Sequence, residues 1–149
     1  TGIRLSELTH ITLQSITIDE NGQGDIQIKS RDNRLERIIP LNSKVVDALK
    51  AYLQIRPDTK YPSLFLNRFG KPLGNRGAQK ILGKYFQKAG LWHVTPHSLR
   101  HTFGVHHLIK GTNMRSLQKI LGHKDIRSTE IYIPLANELS RREMQNNAL

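Results

Sequence analysis

The hydrophobic pattern of this chain changes period near Asn42, and that change constrains the fold more than any other feature. Before it, apolar and polar residues alternate over residues 16–19 and 26–29, with a Gly-, Asn- and Asp-rich segment between them, and Arg37–Leu41 follows. Alternation with period two predicts β-strands, and the turn residues predict a hairpin. This part is therefore predicted to form a three-stranded antiparallel sheet, with Pro40 placing the last strand at an edge.

Helical spacing of apolar residues dominates the rest of the chain. A short helix is predicted over residues 4–11, a second is capped by Asn42 or Ser43 and ends before Pro57, and a third ends at Gly90. The predicted buried faces of the second and third helices are Val45, Val46, Leu49, Tyr52 and Leu53, and Ile81, Leu82, Tyr85, Phe86 and Ala89.

The last third of the chain carries several helix boundary signals. Thr95 followed by a proline predicts a helix from Pro96 to Lys110, and Asn113 begins a helix that ends at Gly122. Ser128 is predicted to cap a segment that Pro134 interrupts, and an amphipathic tail follows from Leu135. The fold class is therefore α+β and mainly α-helical, with one small three-stranded antiparallel sheet.

Composition narrows the class of protein. The 149 residues suit one domain, and the absence of cysteine excludes a disulfide framework, a thiol nucleophile and a cysteine-based zinc site. No apolar stretch has the length of a membrane span or a signal peptide, so a bacterial-type cytosol is expected. The 23 Lys and Arg against 12 Asp and Glu give a net charge of +11, which suits a nucleic acid partner. The alternative is a soluble basic protein without such a partner.

Five side chains have the chemistry of a metal-free phosphotransferase. Arginine forks bind the non-bridging oxygens of a phosphate, histidines donate or relay protons, and a tyrosine phenol can attack phosphorus. In chain order these candidates are Arg4, His97, Arg100, His123 and Tyr132.

His97 and Arg100 form the most compact part of this set. They are three residues apart in the first turn of a predicted helix, so they share a face where backbone amides also favour an anion. Two alternatives remain open. Arg100 could form an ion pair elsewhere while His97 is a surface histidine, or His97 and His101 could bind zinc from one helix, although no glutamate follows His97.

Three extended blocks of sequence resemble the hallmark blocks of the tyrosine recombinase (phage integrase) family. They are Thr-Gly-Ile-Arg-Leu-Ser-Glu-Leu from Thr1, Thr-Pro-His-Ser-Leu-Arg-His-Thr-Phe from Thr95, and Leu-Gly-His-Lys-Asp-Ile-Arg-Ser-Thr-Glu-Ile-Tyr from Leu121. The order and spacing of the blocks also fit, and the resemblance extends from Thr1 to about Ala136. One departure is that Ile133 and Pro134 follow Tyr132, where relatives often have a small or polar residue and then histidine.

The resemblance implies a role for each candidate residue. Tyr132 is the nucleophile that forms a 3′-phosphotyrosyl bond, and the remaining family positions match Arg4, His97, Arg100 and His123. The family's catalytic lysine lies in a hairpin of the sheet, and Lys29 is the lysine found there, with Arg31 and Arg34 close by.

Glu7, one helical turn after Arg4, resembles the acidic residue that orients the active site; the alternative is an ordinary helix ion pair. No metal, nucleotide or other cofactor is implied.

The resemblance also implies partners and a domain context. The partner is double-stranded DNA, and the full-length protein is expected to form a tetramer on it, while residues 1–149 alone could be monomeric. Those residues are expected to be a single catalytic domain without the N-terminal core-binding domain and without the first part of the catalytic domain. The tail from Leu135 is expected to dock on a neighbouring protomer. The expected location is the cytoplasm of a bacterium, associated with DNA and not with a membrane.

Three other functions compete with a recombinase. Residues 113–132 could form a helix-turn-helix of a DNA-binding regulator, but that leaves Arg4, His97 and Arg100 without a role. An inactive relative could use the same fold only to bind DNA. A topoisomerase that acts through 3′-phosphotyrosine shares the chemistry, but the blocks around His97 and His123 favour a recombinase.

Overall fold

The computed structural model describes residues 1–29 and 35–146, so Arg31 and Arg34 lie outside the described residues. The chain forms two compact units. The N-terminal unit consists of Thr1 and Ile3–Pro96, and the C-terminal unit consists of Gly2 and His97–Leu149, described as far as Asn146.

A three-stranded antiparallel sheet lies in the N-terminal unit, as predicted. Its strands are β1 (Ile16–Ile18), β2 (Gly24–Lys29) and β3 (Leu35–Leu41), in the order β1-β2-β3. Ile26, Ile28 and Ile39 turn to the core, each at most 4% exposed. Among the described strands β3 pairs with β2 alone, which makes it an edge strand and accommodates Pro40.

Three α-helices accompany this sheet in the described part of the N-terminal unit: α1 (Leu5–His10), α2 (Ser43–Ile55) and α3 (Asn75–Lys88). A short 3₁₀ turn, Leu13–Ser15, leads from α1 into β1. The side chain of Asn42 caps α2 by accepting the Val45 N–H at 3.0 Å, which selects Asn42 over Ser43 as the cap.

The predicted buried face of α3 is partly wrong. Ala78 and Phe86 are buried, but Ile81 is 46% exposed and Tyr85 is 63% exposed. Ala78, Leu82 and Phe86 are spaced four residues apart and form one inclined row on the helix, in which Leu82 is partly buried. The buried row of α3 therefore contributes one residue per turn, and Ile81 and Tyr85 lie beside it in solvent.

All the regular secondary structure in the described part of the C-terminal unit is helical. It contains α4 (Pro96–Ile109), α5 (Met114–Leu121), α6 (Arg127–Glu130) and α7 (Ile133–Asn146). Its core is formed by Val105, Leu117, Leu121, Tyr132 and Ala136. Asn113 caps α5 through a bond from the Arg115 N–H, and Gly122 ends it in the left-handed conformation at φ 65°, as predicted.

Two local predictions for this unit are wrong. Ser128 does not cap the tyrosine segment: the carboxylate of Asp125 accepts the Arg127 N–H at 2.9 Å, and α6 has started before Ser128. Pro134 does not break a helix either, because it lies in the first turn of α7, where a proline has no intrahelical bond to lose. Within residues 1–29 and 35–146, no helix combines the length and apolarity that crossing a bilayer requires.

Candidate active site

A cleft of about 540 Å³ in the N-terminal unit brings together three of the predicted residues, Arg4, Glu7 and Lys29. Arg4 precedes α1, Glu7 lies in its first turn, and Lys29 ends β2. His10 and Asn75 add polar groups to the wall of the cleft. The wall carries two cationic side chains, Arg4 and Lys29, and two carboxylates, Glu7 and Glu36.

The carboxylate of Glu7, in the wall of this cleft, accepts hydrogen bonds from two arginines. It accepts bonds from the Arg4 backbone N–H at 2.7 Å and from Arg4 Nη1 at 2.9 Å. It also forms a two-pronged pair with Arg37, with Nη1 at 3.0 Å and Nη2 at 2.8 Å. Burial alone would raise the pKa of Glu7, but these bonds from Arg37 and Arg4 hold the pKa below its ordinary value. Glu7 therefore stays a carboxylate and connects the two arginines.

Arg37 is a residue of this site that sequence reasoning missed. Its side chain is 7% exposed, and it lies on the same face of β3 as the buried Ile39. A charge on the buried face of a strand requires a partner, so the alternation of buried and exposed positions in β3 could have indicated that Arg37 is paired. The partner, Glu7, lies thirty residues away in sequence, which no local pattern indicates.

Lys29 occupies the end of β2, where the pairing with β3 is irregular. Ile28 pairs with Arg37, but Lys29 pairs with Leu35, so the register shifts between Ile28 and Lys29. Its side chain is exposed and lines the cleft. A bulge of this kind redirects a side chain at the end of a strand.

Arg100 is buried in the C-terminal unit and is bound by main-chain carbonyl groups. It is 5% exposed, and its Nη1 and Nη2 each donate at 2.7 Å, to the carbonyls of Gly2 and Leu121 respectively. Gly2 has φ 62°, and a Cβ there would come within 2.5 Å of the Phe103 ring. Only glycine combines this positive φ with such close packing against Phe103. The first sequence block therefore supplies a carbonyl that binds Arg100.

Tyr132 lies in the turn between α6 and α7 and is 3% exposed. Its ring packs directly against Gly104 of α4, where a Cβ would approach the ring to 2.6 Å. The ring of His101 meets it edge-on, with centroids 4.8 Å apart. Tyr132 is therefore fixed in the core of this unit, and the glycine against which it packs lies one helical turn along α4 from Arg100.

His123 lies beside Tyr132, and their ring centroids are 6.2 Å apart. It follows Gly122 at the end of α5, and its Nδ1 lies 2.9 Å from the hydroxyl of Thr129. Arg100, His123 and Tyr132 thus all lie in the C-terminal unit.

His97 lies on α4, three residues before Arg100, and is exposed. His101 on the same helix packs against Tyr132. Among the residues that the structure describes, no group of three or more His, Asp or Glu side chains is placed to hold a metal ion.

The sequence profile of the phage integrase family matches residues 1–138. The chain therefore belongs to the phage integrase family, and the resemblance inferred from its three sequence blocks is confirmed.

Within that family the similar proteins are tyrosine recombinases. Tyrosine recombinase XerD of Staphylococcus saprophyticus is 36% identical over 148 residues, which are 95% of this chain and 49% of the relative. Tyrosine recombinase XerC of Roseiflexus castenholzii is 35% identical over 147 residues, which are 94% of this chain and 46% of the relative. The chain spans about half the length of the curated relatives that it matches.

Solved structures confirm the predicted fold class. The XerA recombinase superposes with a TM-score of 0.85 at 29% identity, over 100% of this chain and 54% of that one. XerH bound to a palindromic difH substrate, a post-cleavage complex, gives a TM-score of 0.81 at 25% identity, over 97% and 42%. The Tn1549 transposon integrase in complex with transposon right end DNA gives 0.72 at 27% identity, over 100% and 56%.

Proposed function

We propose that this chain is the catalytic part of a site-specific DNA recombinase that cleaves and rejoins strands through a 3′-phosphotyrosyl intermediate. The observation that carries the proposal is the grouping of Arg100, His123 and Tyr132 in one helical unit. A phenol fixed beside an imidazole, in the same unit as a guanidinium fork, has the parts required for attack on a phosphodiester.

The chemistry follows from the groups present. The Tyr132 oxygen attacks phosphorus in line, a phosphotyrosyl bond forms, and the bond to the 5′-oxygen breaks. Arg4 and Arg100 hold the non-bridging oxygens, while His97 and His123 donate hydrogen bonds as negative charge develops. The intermediate keeps the energy of the phosphodiester, so a 5′-hydroxyl of a second strand can reverse the step and join new ends.

Lys29 is proposed as the general acid that protonates the leaving 5′-oxygen. Its exposed position in the cleft that also contains Arg4 supports this role. Glu7 is proposed as the residue that positions Arg4, because it binds both the main chain and the guanidinium of that residue. A bridging 5′-phosphorothiolate tests Lys29: a thiolate leaves without a proton, so this substrate should restore cleavage by Lys29→Ala. Cleavage that stays absent would assign the acid to another residue.

Double-stranded DNA is the proposed partner. One line of α3 carries Arg76, Lys80, Lys84 and Lys88, four residues apart and all exposed, and this helix contains no acidic residue. Such a basic row suits a polyanionic partner and adds non-specific affinity that falls with salt. Two of the similar structures, XerH and the Tn1549 integrase, are complexes with DNA.

The proposed assembly is a tetramer on DNA for the longer protein, with the tail from Leu135 to Leu149 docking on a neighbouring protomer. Residues 147–149 of that tail lie outside the described residues. The proposed location is the bacterial cytoplasm, in association with DNA. Deleting the tail should reduce assembly on DNA, measured by light scattering, and unchanged assembly would refute the docking.

The activity is tested by trapping the covalent intermediate. The chain is incubated with supercoiled plasmid in excess EDTA, and SDS-resistant protein–DNA complexes are measured for the wild type and for Tyr132→Phe. We expect a complex that requires Tyr132 and persists in EDTA. DNA binding by both proteins without any covalent complex would instead support a regulator. Relaxation of the plasmid without exchange between two DNA molecules would support a topoisomerase.

A further inference from the structure

One buried threonine contacts both the histidine and the nucleophile of the proposed site. Thr129 is 0% exposed, its hydroxyl lies 2.9 Å from Nδ1 of His123, and its carbonyl accepts the Tyr132 N–H at 3.2 Å. We propose that Thr129 is a positioning residue that donates its hydroxyl proton to Nδ1 of His123 and so holds that imidazole in the Nε2–H tautomer. This inference rests on the proposed function and deepens it.

Burial makes the contact between Thr129 and His123 specific. A hydroxyl removed from water must keep a hydrogen bond, because leaving it unpaired costs about 1–3 kcal/mol. A neutral imidazole carries one proton, and the bond made by one nitrogen decides whether the other is a donor or an acceptor. Thr129 therefore controls what Nε2 of His123 presents, in the way that outer partners orient metal-binding histidines.

The proposed reaction requires the donor form of Nε2. Non-bridging phosphate oxygens only accept hydrogen bonds, so His123 must offer them an N–H. When the Thr129 hydroxyl donates to Nδ1, the ring proton is on Nε2. The reverse arrangement would leave a lone pair on Nε2, which repels a phosphate oxygen and could only take up a proton.

The main chain already fixes the rest of His123. Its N–H donates to the carbonyl of Gln118 at 3.1 Å, and its own carbonyl accepts from Gln118 Nε2 at 3.2 Å. The backbone of His123 is thus tied to α5, and its side-chain contacts must restrain the rotation of its ring. The Thr129 hydroxyl restrains that rotation, and the carbonyl of the same residue anchors Tyr132.

The first test reads the tautomer directly. In the 149-residue chain at about pH 8, above the ordinary histidine pKa, two-bond ¹H–¹⁵N spectra report the proton position on His123. We compare the wild type with Thr129→Val, which replaces the hydroxyl by a methyl group, and with Thr129→Ser, which keeps it. The wild type and Thr129→Ser should show a proton on Nε2 alone, and Thr129→Val should shift the Nδ1 signal toward that of free histidine.

The second test reads the reaction. Covalent complex formation in a single turnover on the plasmid should be about 10- to 100-fold slower for Thr129→Val, by analogy with loss of an outer-shell partner. Thr129→Ser should stay within a few-fold of the wild type, and DNA affinity should be the same for all three proteins. If Thr129 had a purely structural role, Thr129→Val would have a changed melting temperature, but His123 would show the same tautomer in Thr129→Val and Thr129→Ser.

The outcomes separate this inference from the proposed function. A wild-type spectrum with the proton on Nδ1 overturns the inference even where Thr129→Val does not fold. An unchanged His123 signal, or an unchanged cleavage rate, in folded Thr129→Val also overturns it. A wild type that forms no covalent complex but shows the tautomer change refutes the proposed function and leaves Thr129 as the group that sets the tautomer.

Discussion

Two arginines with the same proposed task are held in different ways by the two units. Arg4 has a side chain that is 43% exposed, and its guanidinium is bound by the carboxylate of Glu7. Arg100 is 5% exposed, and its guanidinium is bound by the carbonyls of Gly2 and Leu121. The first support is ionic and titratable, whereas the two carbonyl bonds do not titrate.

This difference has a consequence for each residue. A carboxylate partner fixes an exposed guanidinium but also neutralises part of its charge, so Arg4 depends on a pair that acid can break. Carbonyl groups satisfy N–H donors and leave the net charge in place, at the cost of burying it. We therefore expect changes at Arg100 to affect folding and cleavage at any pH, and changes at the Glu7 carboxylate to affect both with a dependence on pH.

The largest effect is expected from Arg100→Ala. The change removes a phosphate ligand, and loss of one preorganised donor typically costs about 10²–10³ in rate. It also leaves two inward-facing carbonyls without their donor, at roughly 1–3 kcal/mol each. Cleavage should fall below detection, and urea unfolding should show a clear loss of stability.

Arg100→Lys is the matched control for that variant. A lysine keeps the positive charge but cannot donate to two carbonyls in the geometry of a planar fork. Its stability should fall between those of the wild type and Arg100→Ala. Wild-type stability in Arg100→Ala would show that the two carbonyl bonds do not support the fold.

Glu7→Gln should have the next largest effect, confined to the N-terminal unit. An amide cannot replace the carboxylate toward both Arg37 and Arg4, and a hydrogen bond to a charged partner contributes about 1.5–3 kcal/mol. We expect a loss of about 2 kcal/mol in urea unfolding and slower cleavage with unchanged DNA affinity. A variant with reduced stability but a normal cleavage rate would show that Glu7 supports Arg37 and not Arg4.

Gly104→Ala tests whether packing against α4 positions the nucleophile in the C-terminal unit. The added Cβ would lie 2.6 Å from the Tyr132 ring, so the ring or α4 must move. Overpacking of this kind costs about 1–3 kcal/mol, and a displaced phenol should cleave more slowly. Gly83→Ala, at a site on α3 where a Cβ meets nothing within 4 Å, is the control and should not reduce stability. A normal cleavage rate in Gly104→Ala would mean that Tyr132 does not need this contact.

The sequence predicted the sheet, the capped helices and the family, because each depends on local period or on extended motifs. Asn113 and Gly122 are examples in which the residue type predicted a helix end, whereas Asn42 was one of two candidates for its cap. The partners of the site residues were not predictable, since they join distant parts of the chain. Arg37 binds Glu7 across 30 residues of sequence, and Arg100 binds Gly2 across 98. Gly104 is required because the Tyr132 ring packs against it, and only the fold brings that ring there.

The smallest expected effect is the pH dependence of the pair between Glu7 and Arg37. Because the folded-state pKa of Glu7 is below its ordinary value of 4.5, the unfolded chain binds this proton first as the pH falls. The stabilisation is thus complete above about pH 5 and is lost as the pH falls through the folded-state pKa. Urea unfolding of the wild type and of Glu7→Gln between about pH 6 and pH 3 should therefore give curves that converge in acid, since the variant has no proton to bind at this position. Arg100→Ala should keep its deficit over the same range, because two neutral carbonyls support that residue. Parallel curves for the wild type and Glu7→Gln would place the acid sensitivity elsewhere and remove the contrast between the two arginines.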